Sequence, residues 1–490
     1  MNLSKKQEYL IIAGLLVLIF PFFALLFFVH PQGDDFFFAA KVNEMGVWAF
    51  VKDMYFHWSG RYASMFIGAF DPLRFESLAL FRFSLLFFQL FFIASIFTLF
   101  RSIIKEGISR TETTIYALSF YVVFINGIPD VLEFLYWFPG VSAYQFGLSL
   151  FIFFISNYVN YRKKTLVKTN YVIVNSLLIL LIIGLVEVFI LPLFIAIIII
   201  YFINVRSNYN NKSTFGFLIV LSVASVIVMM APGNFERLSV IPGDTSFLVG
   251  AYKAVQSFIL LVGFFLQNAT FVFVSILFMG LSSRIELNED IANSFLIKTH
   301  PFLITVASIF FSILLFFPVT VAIQHIAPGR VFNFVSFFFA LLWFFNILIW
   351  VYRYKSKVSF KISKVYSIVF LALAFMFLFS GVYITDKYKF SQGYNDAIYL
   401  NGNILGAYSN LLFTASNYDK EMKKRVELFS NAQKKELKTI SVAPLIYKPK
   451  TLVFYDFNEI QKPGTWLSNW EVKYYNLDSI YIEPVQLSIP

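Results

Sequence analysis

Two adjacent carboxylates, Asp34 and Asp35, follow the first long apolar run of the chain. A carboxylate pair offers many hydrogen-bond acceptors and can split its pKa values, so it suits a general base, a cation ligand or an anchor for sugar hydroxyls. The alternative is a solvated loop or a helix N-cap, but a helix start needs one such acid rather than two. We therefore take the pair as the first candidate for a catalytic site.

Arginines stand at three turns between apolar runs. An arginine beside a glycine can clamp a phosphate through two parallel hydrogen bonds, and glycine-bearing turns that open a helix present backbone N–H groups to anions. For Arg61, an anchor at the membrane interface is the alternative. The pattern predicts a site for a lipid phosphate or diphosphate headgroup. Its substrate-binding candidates are Arg61, Asn234, Arg237, His325 and Arg330.

Two further acids lie where charge is costly. Glu133 precedes Trp137 and Tyr144, which would form an aromatic platform for a sugar ring or belong to an interfacial aromatic belt. Glu187 interrupts a long apolar run, and a carboxylate at the bilayer centre costs roughly 2.5–3.5 kcal/mol or more. Glu187 is therefore expected to face a polar cavity as a substrate ligand, or to form a structural ion pair with an arginine.

The composition is that of a polytopic membrane protein. The 490 residues are 59% hydrophobic and 14% charged, with a mean hydropathy of +0.72. Absence of cysteine excludes disulfides and thiolate sites. The net charge of +11 lies largely in short loops, where the positive-inside rule places it, so nucleic-acid binding is not expected. The first apolar run is too long for a signal peptide and is expected to remain as a span.

Eleven apolar runs are long enough to cross a bilayer, which takes about 20 helical residues. Alternating the loops collects the basic ones on one side and predicts a cytoplasmic N-terminus. The run 171–204 is divided at Glu187, because a single span would place the basic segment 352–364 outside. The spans lie near 9–29, 80–100, 114–129, 144–159, 171–185, 188–204, 214–230, 255–281, 302–318, 331–351 and 363–385.

The sequence predicts two domains and an all-α polytopic membrane fold. Residues 1–385 form the transmembrane domain, whose outer loop 30–80 alternates apolar and charged residues as interfacial helices do. Residues 386–490 form a small α+β domain on the outer side. Within it, a helix is predicted over 392–438 and short strands over 440–446, 451–455 and 480–482.

No motif predicts a nucleotide or transition-metal site. The chain has four histidines and no cysteine, and it lacks a P-loop, a dinucleotide fingerprint and a zinc-protease motif. A Mg or Mn ion bound by Asp34, Asp35 or Glu133 stays open, because carboxylate oxygens suit these hard cations.

The order of these features resembles the GT-C superfamily of integral membrane glycosyltransferases. Many spans, an acidic pair in a long first outer loop and a C-terminal outer domain all agree with that superfamily. Within or beside it, the chain is similar to a bacterial group related in style to Gtr-type glucosyltransferases. The segments that carry the resemblance are 33–36, 58–61, Glu133 with 136–140, 184–187, 231–234 with Arg237, and 466–469.

The resemblance implies transfer of a sugar, with inversion, from a polyprenyl-phosphate donor to a glycan or glycolipid acceptor on the outer face of the bacterial inner membrane. Asp34 or Asp35 would match the loop acid that deprotonates or orients the acceptor hydroxyl. The arginines would hold the phosphate leaving group, whereas Glu187 has no counterpart and stays a candidate ligand.

Two other function classes stay open. A transporter or flippase of lipid-linked saccharide would need charged or broken helices at the midplane and internal symmetry. A non-enzymatic envelope-assembly component would depend on residues 386–490 rather than on the acids and arginines.

Overall fold

The fold is described by a computed structural model. The described residues are 4–104, 108–239, 246–282, 295–354, 382–383, 399–400, 402–454, 456 and 466–482.

Nine helices of the described residues are long and apolar enough to cross a membrane. This confirms the prediction of an all-α, multi-pass membrane protein and implies a lipid bilayer as its surroundings. They are α1 (Lys5–Leu25, extended by a 3₁₀ turn to Phe28), α5 (Leu78–Ile103), α8 (Phe138–Arg162), α9 (Lys168–Leu185), α10 (Glu187–Arg206), α11 (Lys212–Met229), α13 (Phe247–Gln267), α16 (Pro301–Ile323) and α17 (Gly329–Tyr354).

Other helices connect these spans. They are α2 (Asp34–Met45), α3 (Val47–His57), α4 (Tyr62–Gly68), α6 (Arg110–Gly127), α7 (Val131–Leu135), α12 (Pro232–Ser239), α14 (Ala269–Ser282) and α15 (Phe295–Lys298). The predicted span 114–129 corresponds to α6, which packs against α1 and α5. The predicted division at Glu187 is confirmed, because α9 ends at Leu185 and α10 begins after Val186.

The prediction of one helix over 255–281 is wrong, because the helix breaks at Asn268 into α13 and α14. The Asn268 side chain accepts a hydrogen bond from the Phe271 N–H and donates one to the Asn126 carbonyl. An asparagine that bonds to nearby backbone competes with helix continuation. The predicted span 363–385 lies outside the described residues, except for 382–383, which pair antiparallel with 399–400.

The basic loops meet at one end of the bundle. Lys163, which follows α8, donates to the carbonyl of Ile104 after α5. Arg162 donates to Asn204 near the end of α10 and lies over the Tyr209 ring. These contacts agree with the predicted alternation of loops. The acidic pair lies at the opposite end of the bundle, because Asp35 is close to Asp71, which precedes the start of α5. Which end faces the cytoplasm stays a prediction.

Helices α2 to α4 fill the first long loop, as predicted. A small apolar cluster that includes Phe37, Phe38, Phe50 and Met54 joins α2 to α3. Trp48, on the other face of α3, is 76% exposed. Their position at the membrane interface stays a prediction.

The C-terminal residues form helices α18 (Asn403–Ser409), α19 (Ala415–Lys434) and α20 (Trp466–Tyr474), with a π turn between α18 and α19. A parallel pair joins Thr439–Val442 to Ser479–Ile482. The predicted strand over 451–455 is wrong, because the N–H groups of Leu452 and Val453 turn back to the Pro449 carbonyl. Helix α18 packs on α1 and α6, where Tyr408 donates to the Val17 carbonyl.

Candidate functional site

Asp34 begins α2 and is half-buried. Its Oδ1 atom is buried and finds no hydrogen-bond partner among the described residues. Burial and the nearby Glu133 carboxylate raise the pKa of Asp34 to about 6, while Arg330 opposes the shift. Among the described residues Asp34 Oδ1 thus has no hydrogen-bond partner, and burial holds the pKa of this acid well above that of an ordinary aspartate.

Asp35 has a different environment. It is 1% exposed, and it accepts hydrogen bonds from the N–H groups of Gln32, at 2.7 Å, and Phe138. Burial, together with the neighbouring Asp71, holds the pKa of Asp35 well above its usual range. Asp71 is itself buried and caps the turn that begins at Pro72. Asp35 therefore ties α2 to the start of α8. Its Oδ1 atom, like that of Asp34, lacks a hydrogen-bond partner among the described residues, but Asp35 is fully buried, so the half-buried Asp34 is the acid accessible for chemistry.

The N-terminus of α17 meets two carboxylates. Asp130 Oδ2 and Glu133 Oε2 lie 2.7 and 2.9 Å from the position that a Cβ atom would take on Gly329. Glu133 also accepts the Arg330 backbone N–H, and its Oε1 lies 3.3 Å from the Arg330 guanidinium. Anions are stabilised at helix N-termini, where N–H groups are unpaired. Glu133 Oε2 still has no hydrogen-bond partner among the residues with described positions.

Arg61 and Glu187 form a bidentate ion pair. The Arg61 Nε and Nη2 atoms donate to the two Glu187 oxygens at 2.7 and 2.6 Å. Arg61 also hydrogen-bonds Tyr144, which lies on a π turn within α8. The observed contact is the structural ion pair that the sequence left open for Glu187. This ion pair does not test whether Glu187 binds substrate, so the ligand role of Glu187 stays a prediction.

Arg237 completes a group of three guanidiniums. It lies within electrostatic range of Arg61, Arg330, Tyr144 and Glu187. Burial, joined by the charge of Arg61, lowers the pKa of Arg237. No carboxylate of the described residues is within ion-pair distance of Arg237. The structure thus brings the three predicted arginines together, and Arg237 is the one that has no ion-pair partner among the residues that the structure describes.

Asn234 fastens the turn that carries Arg61. Its Nδ2 atom donates to the Val228 carbonyl at 2.6 Å, and its Oδ1 atom accepts the Gly60 N–H at 3.3 Å. A Cβ atom on Gly233 would overlap the backbone of Trp58, and one on Gly60 would overlap Val228. In this structure the Asn234 amide therefore positions Arg61, and its predicted contact with substrate stays a prediction.

The Gly233→Ala substitution is expected to destabilise the protein, because the new methyl group meets backbone that cannot rotate away. Overpacking of this kind costs about 1–3 kcal/mol, and we expect the thermal midpoint in detergent to fall by about 1–3 °C. Gly216→Ala in α11 is the matched control, because a Cβ atom there meets nothing within 4 Å. An equal midpoint for both variants would contradict the locked turn.

Trp137 and Tyr144, the two residues of the predicted aromatic platform, have different neighbours, and the platform stays a prediction. The Trp137 ring has the Arg330 guanidinium over it at 5.8 Å and the Phe454 ring at 5.6 Å in an edge contact. Tyr144 contacts Arg61, as described above. The remaining candidate, His325, is exposed on the turn that precedes α17.

Several residues of this region were not predicted from the sequence. Asp71 and Asp130 are acids in short loops, and the Asp-Pro pair at 71–72 was the available signal for the first of them. Gln32 and Phe454 meet across more than 400 residues of sequence, so no local pattern could reveal them.

The chain was compared with protein families, curated proteins and solved structures. No family model, curated protein or solved structure matches it.

A metal site is not assembled in the described part of the chain. No group of three or more His, Asp or Glu side chains there is arranged to hold an ion. Asp34 and Glu133 both lie near Arg330, whose positive charge opposes cation binding between them. A requirement for Mg or Mn therefore stays a prediction that a chelator experiment can test.

Proposed function

We propose that the protein is a membrane glycosyltransferase of the GT-C type. It would move a sugar from a polyprenyl-phosphate-linked donor to a cell-envelope glycan or lipid acceptor on the outer face of the bacterial inner membrane. The observation that carries the proposal is Asp34, a half-buried acid with an elevated pKa, within electrostatic range of Arg330, which in turn lies within range of Arg61 and Arg237. A base and a cationic phosphate site in one place are what such a transfer needs.

The proposed reaction assigns a role to each side of this site. Asp34 accepts the proton of the acceptor hydroxyl, whose oxygen forms the new bond to the anomeric carbon. The bond between that carbon and the phosphate oxygen breaks, and the phosphate leaves with the electron pair. A guanidinium stabilises the charge that grows on the departing phosphate. Attack opposite the leaving group inverts the anomeric carbon.

The three arginines differ in their capacity to hold that phosphate. Arg61 is neutralised by Glu187 through two hydrogen bonds. Arg330 is shared between Glu133 and Asp34. Arg237 has no carboxylate partner among the described residues, so it is the phosphate ligand in this proposal. Arg61 and Arg330 then contribute to the shape of the site and to its positive electrostatic potential.

The pH dependence follows from the pKa of Asp34. The base acts in its ionised form, so transfer should decline as pH falls through about 6. Glu133→Gln removes a carboxylate that raises this pKa and leaves Arg330 to lower it, so the acid limb should move below pH 6. The measurement is the pH dependence of kcat/KM for the donor between about pH 4.5 and about 8. This range includes the pH values near which general bases of this kind operate.

The control for this shift is Glu44→Gln, because Glu44 is exposed on the same helix as Asp34. The Glu44→Gln substitution should leave the acid limb of the pH profile near pH 6. A limb that moves upward in Glu133→Gln, or equally in both variants, would contradict the assignment of Asp34 as the titrating base.

A transporter of lipid-linked saccharide is the second candidate, and one observation favours it. The break at Asn268 between α13 and α14 is a discontinuous helix of the kind that transporters use. The hydrogen bonds of the Asn268 side chain described above join it to backbone groups rather than to charged side chains.

Proteoliposomes containing a radiolabelled polyprenyl-phosphate sugar separate these functions. A transferase converts the lipid to free polyprenyl phosphate, whereas a flippase moves the intact lipid between leaflets. We expect conversion, and movement without conversion would favour transport. If neither occurs, the envelope-assembly alternative gains support. A parallel sample with EDTA decides whether Mg or Mn is required.

A further inference from the structure

The loop 451–454 is hydrogen-bonded to the residue that precedes the acidic turn. Gln32 Nε2 donates to the Leu452 carbonyl at 2.6 Å, and Gln32 Oε1 accepts the Phe454 N–H at 2.9 Å. The amide thus pairs with a carbonyl and with the N–H two residues later, as an adjacent strand would. The Gln32 backbone N–H meanwhile donates to Asp35. One residue therefore joins the C-terminal loop to the start of α2.

A second attachment fixes the same region. Asp419 on α19 accepts from Arg82 at 2.8 Å and contacts His30 at 2.9 Å. His30 is 2% exposed, and burial lowers its pKa. Hydrogen bonds between ionised groups are stronger than neutral ones. The C-terminal residues are therefore held at two points, His30 and Gln32, of the segment that leads to Asp34.

These attachments bring Phe454 to one side of the candidate site. Its ring meets Trp137, and Trp137 in turn lies beneath Arg330. Arg330 lies within electrostatic range of both Asp34 and Arg237, and Arg237 is also within range of Arg61 and Glu187. Arg330 thus lies between two regions, with Asp34 and Phe454 in one and Arg237 in the other.

We propose that the 451–454 loop forms the acceptor-side wall of the site and that Phe454 determines which acceptor fits. The ligand is a sugar ring of a glycan or glycolipid, whose apolar C–H face would lie against the Phe454 and Trp137 rings beside Asp34. Gln32 is a positioning residue that holds this wall. The assignment of the acceptor to this wall rests on the proposed function, but the existence of the wall does not.

The absence of cysteine permits a direct test of the wall. Asp34→Cys in nanodiscs is treated with a small charged methanethiosulfonate reagent, alone and combined with Phe454→Ala or Gln32→Ala. We expect the introduced thiol in both combined variants to be labelled at least about fivefold faster than in Asp34→Cys alone. Loss of the Phe454 ring or of the Gln32 amide would favour local opening of the 451–454 loop. Ile446→Ala is the control, because Ile446 also lies in the C-terminal part of the chain but precedes the 451–454 loop and is 80% exposed. Equal labelling rates in all combinations would overturn the wall.

A second measurement tests the role of Phe454 in acceptor choice. Phe454→Ala, without the cysteine, is given a labelled polyprenyl-phosphate sugar, and products of transfer to water and to a panel of acceptor glycans are separated. We expect donor cleavage to persist while the ratio of acceptor to water products changes by about tenfold. An unchanged ratio would overturn the acceptor assignment. If the unsubstituted protein cleaves no donor, the proposed function fails, and the labelling rates still decide the wall.

Discussion

Asp34→Asn should lower sugar transfer by about 100-fold or more, because the amide cannot accept the proton of the acceptor hydroxyl and general bases contribute 10²–10⁴-fold. The change keeps the size of the side chain and removes a half-buried acid whose Oδ1 atom lacks a hydrogen-bond partner among the described residues. We therefore expect insertion and thermal stability to be retained. The measurement is the initial rate of transfer at saturating donor, together with the thermal midpoint.

Asp35 and Asp53 supply the comparisons for this result. Asp35→Asn should affect stability as well as rate, because Asp35 accepts two backbone hydrogen bonds. Asp53→Asn should leave the rate unchanged, since Asp53 pairs with Lys41 on helices of the first loop. Full activity of Asp34→Asn, or a loss confined to Asp35→Asn, would contradict the division of roles within the acidic pair.

Arg237→Gln should raise the KM for the lipid donor by roughly 10- to 100-fold, because a hydrogen bond to a charged group contributes about 1.5–3 kcal/mol. Its guanidinium has no carboxylate partner among the described residues, so its loss leaves no acid unpaired. We expect the thermal midpoint to stay within about 2 °C of the unsubstituted protein. Donor titrations in nanodiscs provide the measurement.

The matched control is Arg110→Gln, because Arg110 is exposed at the opposite end of α6 from the site. Arg61→Gln makes a second comparison, since it leaves Glu187 partly buried without its bidentate partner and should lower stability. If Arg237→Gln and Arg110→Gln bind the donor equally well, Arg237 is not the phosphate ligand.

The sequence predicted the membrane fold and the grouping of the charged candidates for a common reason. Apolar runs define spans, and alternation of those spans sends every second loop to the same end. Arg61, Arg237 and Arg330 all lie in such loops, and they converge in the structure. Their convergence is a consequence of topology, and their role as phosphate ligands stays a prediction.

What the sequence could not predict depends on contacts between distant residues. Pairing of Arg61 with Glu187 and of Gln32 with Phe454 requires knowledge of which loops touch. The break at Asn268 depends on a hydrogen bond to Asn126 in another helix. Nothing in the local sequence distinguishes the surroundings of Asp34 from those of Asp35. The difference comes from Asp71, which lies in a separate loop and raises the pKa of Asp35.

The most direct test of the account is donor cleavage by the purified protein in nanodiscs, measured with a panel of radiolabelled polyprenyl-phosphate sugars. We predict that the unsubstituted protein converts at least one donor to polyprenyl phosphate, and that Asp34→Asn binds the same donor without converting it. Conversion at equal rates by both proteins, or binding without conversion by the unsubstituted protein, would contradict a glycosyltransferase that uses Asp34 as its base.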